Sequence, residues 1–153
     1  MDTYTPPAGK PYAILCDIDG TLAHMDERFK KFGPKGAYQW GAVGMDTLDD
    51  TIAEILRLYY ITEHAKIILF SGRDSVCRPE TEQWLKDKMV PYHQLFMRGQ
   101  GDMRKDSIVK REMFDAEIKN EYQVLFVLDD RDQVVEMWRQ MGLKCLQVDY
   151  GNF

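Results

Sequence analysis

The feature that most limits how this chain can fold is alternation. Five short apolar runs recur along it: "YAILCDI" (12–18), "KIILFSGRD" (66–74), "QLFM" (94–97), "YQVLFVLDDR" (122–131) and "KCLQVDYGNF" (144–153). Between them lie amphipathic stretches at helical spacing. Residues 46–64 place Leu48, Ile52, Ile55, Leu56 and Tyr59 on one stripe, with Asp46 as the expected N-cap and Asp49 and Asp50 in the first turn. "RPETEQWLKDKM" carries Pro79 where helices favour it. The stretch 104–122 puts Val109, Met113 and Ala116 on one face, and 132–142 puts Val134, Trp138 and Met141 there, stopped by Gly142. Strands alternating with helices predict βαβ units, hence an α/β, three-layer, Rossmann-like fold around a central, mostly parallel sheet. At 153 residues the chain reads as a single domain. One segment has no period: residues 24–45, rich in glycine, charge and aromatics, read as a short cap-like excursion after the first strand.

Parallel sheets bind ligands beyond the carboxyl ends of their strands. Three runs end there in polar groups: Asp17 and Asp19 on the first, Ser71, Gly72 and Arg73 on the second, Asp129, Asp130 and Arg131 on the fourth. That many carboxylates in one crevice call for a cation. Oxygen-only ligands select a hard ion, and Mg²⁺ is the expectation, held by Asp17, Asp19, Asp129 and Asp130. Within the second pair, Asp129 lies nearer the strand end and is the favoured direct ligand; one of the two also suits capping of the following helix. Hydroxyl and guanidinium groups beside such an ion suit phosphate oxygens. The set predicts phosphoryl transfer through an aspartyl-phosphate.

"DIDGT", "FSGRD", a downstream lysine and "LDD" resemble the four motifs of the haloacid dehalogenase-like phosphohydrolases. The longer stretches "DIDGTLAHMDER", "SGRDS", "RGQGDMRKDSIVKREMF", "LDDRDQVVEMWRQMGLKCLQV" and "GNF" are similar to the 3′-phosphatase domain of bacteriophage polynucleotide kinase-phosphatases. The resemblance spans residues 13–153 and is weakest over 30–50. It implies a phosphoric monoester hydrolase that removes 3′-phosphate, and also opens 2′,3′-cyclic phosphate in some relatives, at DNA or RNA ends. The resemblance makes Asp17 the nucleophile and Asp19 the general acid and base, with the Asp19 carbonyl on the metal. Ser71 is expected on a phosphate oxygen, and Thr21 on phosphate or backbone. Two lysines compete for the motif position, Lys105 and Lys110; the resemblance selects Lys110, with Asp106 one turn earlier as its companion. Arg28, Arg73 and Arg98 match arginines that contact substrate or phosphate, and Gly72 belongs to the same substrate-binding turn. Tyr38, Trp40 and Phe32 suit base stacking, but packing of the excursion onto the sheet is the favoured reading.

No G-x-x-x-x-G-K-[ST] occurs, so no kinase domain is expected within these residues. The relatives nonetheless suggest functional pairing with a 5′-kinase and a ligase, and self-association is left open. A net charge of -5 argues against a sheath for long nucleic acid, though not against reading a single end. No run is long enough to span a membrane, and no signal peptide is evident. Cys16, Cys77 and Cys145 form no disulfide set, which suits a reducing cytoplasm.

Overall fold

Alternate residues of the first strand enter two different cores. Ile14 and Cys16 face one way, Ala13 and Leu15 the other, and all four are fully buried. A strand buried on both faces belongs in the middle of a parallel sheet, and the computed structural model, which describes residues 2–153, places it there.

The elements run β1 (Tyr12–Cys16), β2 (Ala23–His24), α1 (Asp26–Phe32), two 3₁₀ turns (Gly33–Tyr38 and Trp40–Met45), β3 (Thr47–Leu48), α2 (Asp50–Ile61) and β4 (Lys66–Asp74). A 3₁₀ turn (Ser75–Cys77) leads to α3 (Arg78–Asp87), β5 (Gln94–Arg98), α4 (Asp106–Glu117), β6 (Gln123–Asp129), α5 (Asp132–Gln140) and β7 (Cys145–Gln147). The main sheet is parallel, in the order β5-β4-β1-β6-β7. On one face α2 and α3 bury Ile52, Ala53, Leu56, Trp84 and Leu85 against Ile67, Leu69 and Leu95. On the other, α4 and α5 bury Phe114, Val134 and Trp138 against Ile68, Phe70 and Val127. This is the expected three-layer α/β fold.

Four details differ from the sequence reading. The N-cap of α2 is Asp49, whose side chain accepts from the Ile52 amide at 3.0 Å; Asp46 lies in the interior instead. Thr47–Leu48 leave the helix to pair with β2. In α4 the inward residues are Asp106, Val109, Lys110 and Phe114, while Ala116 is exposed. The last strand stops at Gln147, and the remaining residues return towards β6: the Asp132 amide donates to the Gly151 carbonyl at 2.9 Å. Among the described residues no helix is long and apolar enough to cross a membrane.

Candidate active site

The carboxyl ends of β1, β4 and β6 meet at a cavity of about 470 Å³. Its floor carries Asp17, Asp19, Asp129 and Asp130. After Asp17 the chain turns sharply at Gly20, which has φ +84° and lies so close to the Asp130 carboxylate that a Cβ would overlap it. Only glycine brings the β1 turn that near the end of β6.

Asp17 is 6% exposed and held at both oxygens. Lys110 Nζ donates to Oδ1 at 2.8 Å, and the Thr21 hydroxyl donates to Oδ2 at 3.1 Å. Lys110, itself buried, also donates to Asp129 Oδ2 at 3.0 Å and lies 3.6 Å from Asp106. Of the two competing lysines the structure thus brings Lys110 to Asp17 and leaves Lys105 exposed at the start of α4. Burial alone would lower the Lys110 pKa, but Asp106, Asp129 and Asp17 outweigh it and push it well up. Burial pushes the Asp17 carboxyl well above its ordinary range; Lys110 opposes this, and Asp129, Asp130 and Asp106 reinforce it.

One oxygen from each of Asp17, Asp129 and Asp130 lies within 4.8 Å of the others. Three carboxylates around one ammonium leave negative charge uncompensated in a buried place, and the donors are all oxygen. That is the chemistry a hard divalent cation fits. The two β6 aspartates differ in what they can still offer. Asp129 accepts Lys110 and the Trp138 indole N–H (3.2 Å) on Oδ2, and the Asp130 amide (2.9 Å) on Oδ1. Among the described residues the Asp130 carboxylate has one side-chain partner, the Thr21 hydroxyl at 3.3 Å, whose single proton it shares with Asp17. The sequence order favoured Asp129 as the direct ligand; its oxygens are committed to protein donors, and Asp130 is the freer of the two. Neither caps α5, whose N-cap is Arg131 without a side-chain bond.

Asp19 sits in a different network. Its Oδ1 accepts Arg73 Nη2 at 2.6 Å, Arg73 Nε at 2.9 Å and Arg28 Nη2 at 3.2 Å. Burial works to raise its pKa, but Arg73 and then Arg28 prevail and hold it below the usual value. Both guanidiniums are in turn held by Asp46. Its Oδ1 takes Arg28 Nε at 2.7 Å, and its Oδ2 takes Arg28 Nη2 at 2.9 Å and Arg73 Nη2 at 2.7 Å. Burial pushes the Asp46 carboxyl up while the Arg28 bond opposes it. Arg73 adds a bond to Thr81, and Arg28 one to the Gly36 carbonyl.

Several site expectations change accordingly. Arg28 and Thr21 are fully buried, with every contact inside the protein, so neither reaches a substrate in this arrangement. Arg73 touches the cavity but is 1% exposed and spends its fork on Asp19 and Asp46. Arg98 lines the cavity with its donors already placed on the carbonyls of Gly72, Asp102 and Arg104 and on Asp106 Oδ1. Gly72 also lines it and lacks room for a Cβ against the Asp106 carboxylate. Ser71 is buried, and its oxygen accepts the Arg73 amide at 3.1 Å, leaving the hydroxyl proton to donate elsewhere. Tyr38 and Trp40 do not join the buried clusters; they line the cavity, and Tyr38 is 67% exposed.

The sequence reading missed three participants. Asp46 looked like a cap, because local spacing cannot show two arginines arriving from elsewhere. Trp138 was assigned to the core, where its ring lies, yet its N–H orients Asp129. Phe153 lines the cavity and lies under the Arg131 guanidinium at 5.2 Å, with its carbonyl accepting from Arg131 Nε.

Residues 11–153 match the family described as the polynucleotide kinase PNKP phosphatase domain. A bifunctional polynucleotide kinase/RNA ligase, so described, of Autographa californica nuclear polyhedrosis virus is 34% identical over 147 residues, covering 94% of this chain and 20% of its own length. In solved structures, a chain of the Pnkp1/Rnl/Hen1 RNA repair complex superposes with a TM-score of 0.88 at 39% identity, over 99% of this chain and 47% of that one. A class C acid phosphatase from Bacillus anthracis with tungstate bound shares the fold at 17% identity, with a TM-score of 0.63 over 95% of this chain and 68% of its own. The chain spans about a fifth of the viral relative and about half of the repair-complex chain.

Proposed function

The chain belongs to the polynucleotide kinase phosphatase-domain family, a group of haloacid dehalogenase-like phosphoric monoester hydrolases, and from that membership we propose that it removes 3′-phosphate from DNA or RNA ends with Mg²⁺. The observation that carries this reading is the pairing of two networks at one cavity. One holds Asp17 with Lys110, the other holds Asp19 with two arginines.

Asp17, Asp130 and the Asp19 carbonyl would hold Mg²⁺, with Asp129 directing Lys110 and completing the acidic wall. When bound, the ion neutralises the carboxylates and the phosphate oxygens, so that an anionic nucleophile can approach an anionic substrate. An Asp17 carboxylate oxygen attacks phosphorus, and the bond from phosphorus to the 3′-oxygen breaks. Asp19, which Arg73 and Arg28 hold below the usual carboxylate range, takes the proton of the monoanionic phosphomonoester and gives it to the departing oxygen. The resulting aspartyl-phosphate is hydrolysed by a water whose proton passes by way of Asp19 to the departing inorganic phosphate, which restores both side chains. Lys110 and Thr21 keep the Asp17 carboxylate oriented, and the Ser71 hydroxyl takes a phosphate oxygen. Arg28 and Arg73 position Asp19, and Arg98 positions Asp106 at the cavity wall.

A ligase needs a free 3′-hydroxyl, which this reaction supplies. The kinase, ligase and repair-complex relatives support a place for the domain in end repair beside such enzymes. The three buried free thiols support work in a reducing compartment such as the cytoplasm.

The test is phosphate release from matched 3′-phosphorylated DNA and RNA oligonucleotides and from a 3′-mononucleotide, wild type beside Asp17→Asn. Release from the oligonucleotides that needs Mg²⁺ and disappears in Asp17→Asn is the expected result. Unchanged activity in Asp17→Asn refutes the mechanism, and a strong preference for the mononucleotide refutes the polymer substrate in favour of a small-molecule nucleotidase.

A further inference from the structure

The cavity is larger than a phosphate requires, and its walls are chemically sorted. At about 470 Å³ it lies in the range of sites that enclose a small organic ligand. The acidic floor accounts for one end. The excursion between β2 and β3 contributes Phe29, Ala37, Tyr38 and Trp40, and no charge. Tyr38 and Trp40 meet edge to face, with ring centroids 6.2 Å apart. The end of β5 contributes Arg98, and the segment from there to α4 contributes Asp102, Met103, Arg104 and Lys105.

The cations of that second wall are unequal. Arg98 is consumed by carbonyls and Asp106, and Arg104 by Asp102 and Glu112. Arg131, next to the floor, is engaged by Phe153. Among the described residues, the side chain of Lys105 alone of the basic groups lining the cavity makes no hydrogen bond or ion pair. An apolar ring surface and an uncommitted ammonium on one cavity suit a base and a phosphodiester.

Resting on the end-phosphatase reading above, we propose that the cavity is a subsite for one whole nucleotide of the strand end. The base of the 3′-terminal nucleotide stacks on Tyr38 and Trp40, and Lys105 takes the phosphodiester on its 5′ side. The excursion and Lys105 then discriminate a polymer end from a free phosphomonoester. Stacking tolerates any base, because each presents a π face, so the subsite selects for the presence of a base and not for its identity. A single engaged phosphodiester also suits a chain whose net charge is -5.

The experiment compares kcat/KM on three substrates: a 3′-phosphorylated oligonucleotide with a normal terminal base, the same strand with an abasic terminal sugar, and a 3′-mononucleotide. The enzymes are wild type, Tyr38→Ala/Trp40→Ala and Lys105→Ala, all with Mg²⁺. The aromatic double variant is expected to lose about ten- to hundredfold on the base-ended strand and severalfold less on the abasic one. Lys105→Ala is expected to lose on the oligonucleotides more than on the mononucleotide, and to reduce the dependence of log KM on log salt by a slope of about 1. Equal losses on base-ended and abasic strands overturn the stacking wall. An unchanged salt slope in Lys105→Ala overturns the phosphodiester contact. Tyr38→Ala alone, a change at an exposed side chain, carries the same comparison if the double variant fails to fold. Failure of the underlying reading is visible separately, in wild type, as turnover of the mononucleotide without turnover of either strand.

Discussion

Replacing Asp46 with alanine removes three charge-assisted hydrogen bonds, of 2.7, 2.9 and 2.7 Å, from two guanidiniums that have no access to water. In the native cluster two positive forks face two carboxylates, Asp46 and Asp19. The alanine variant leaves both forks on Asp19, which already accepts three bonds on one oxygen. One buried positive charge is then uncompensated. Breaking a buried pair by deleting one partner costs about 3–5 kcal/mol. At about 2–4 °C per kcal/mol for a domain of this size, the melting temperature should fall by about 6–20 °C. The bond from the Trp84 indole to the Asp46 carbonyl is to backbone and survives the change, so the loss reports on the carboxylate. Asp46→Asn keeps an acceptor and the shape but not the charge, and should cost less than alanine. The assay is urea and thermal unfolding of the three proteins, with Arg28→Met and the Arg28→Met/Asp46→Ala double variant to close a cycle. A loss below about 1 kcal/mol in Asp46→Ala, or strictly additive losses in the cycle, would refute the argument that Asp46 neutralises this cluster.

Lys110→Met leaves Asp17, Asp129 and Asp106 facing one another without their ammonium; phosphatase activity should fall by about a hundredfold or more, and a loss under threefold in steady-state turnover would remove Lys110 from the mechanism. Mg²⁺ should raise the melting temperature of the wild type by mass action, and clearly less in Asp130→Asn; an equal rise in both would return the direct-ligand role to Asp129. Gly20→Ala forces a side chain into a left-handed turn and against the Asp130 carboxylate, and should weaken that Mg²⁺ response and activity together; wild-type behaviour in both would show that the turn can give. His93 accepts from the Ile67 amide through Nδ1, and burial, followed by Lys66, depresses its pKa. A depressed histidine binds fewer protons in the folded state, so its contribution is full above its ordinary pKa of about 6.5 and is lost as pH falls below that. The urea midpoint should drop between about pH 7 and pH 5, and less in His93→Gln; identical pH profiles would exclude His93 as a source.

The sequence made the sheet and the acidic ends of its strands legible because both follow from short-range pattern. Apolar runs the length of a strand, broken by Asp, Ser-Gly or Asp-Asp, need no tertiary knowledge to read. The differences at Asp46 and in α4 share one cause: a polar side chain drawn inward by a distant partner. Periodicity could not place Lys110 on the inner face of α4, since its reason for being there is Asp17, 93 residues earlier in the chain. Counting Ala116 into the stripe followed from leaving Lys110 out of it. Asp46 was read as a cap because "DTLDD" offers three acids within five residues, and only Arg28 and Arg73 decide which one goes inside. The arginines were expected at the substrate because a guanidinium in a phosphatase motif invites that role. Arg28 and Arg73 instead spend their forks on Asp46 and Asp19, and Arg98 spends its donors on carbonyls and Asp106 at the cavity wall.

The anchoring of the excursion has a kinetic meaning. Arg28 on α1 is tied to Asp46, to Asp19 two residues beyond Asp17 and to the Gly36 carbonyl, while Asp46 is tied through Arg73 to β4 and through its carbonyl to α3. A swinging cover over the cavity would have to tear buried charges from their counter-charges at every turnover. The segment is therefore masonry and not a door. On the proposed reading a strand end would meet an entrance that is already built, with no opening step to wait for.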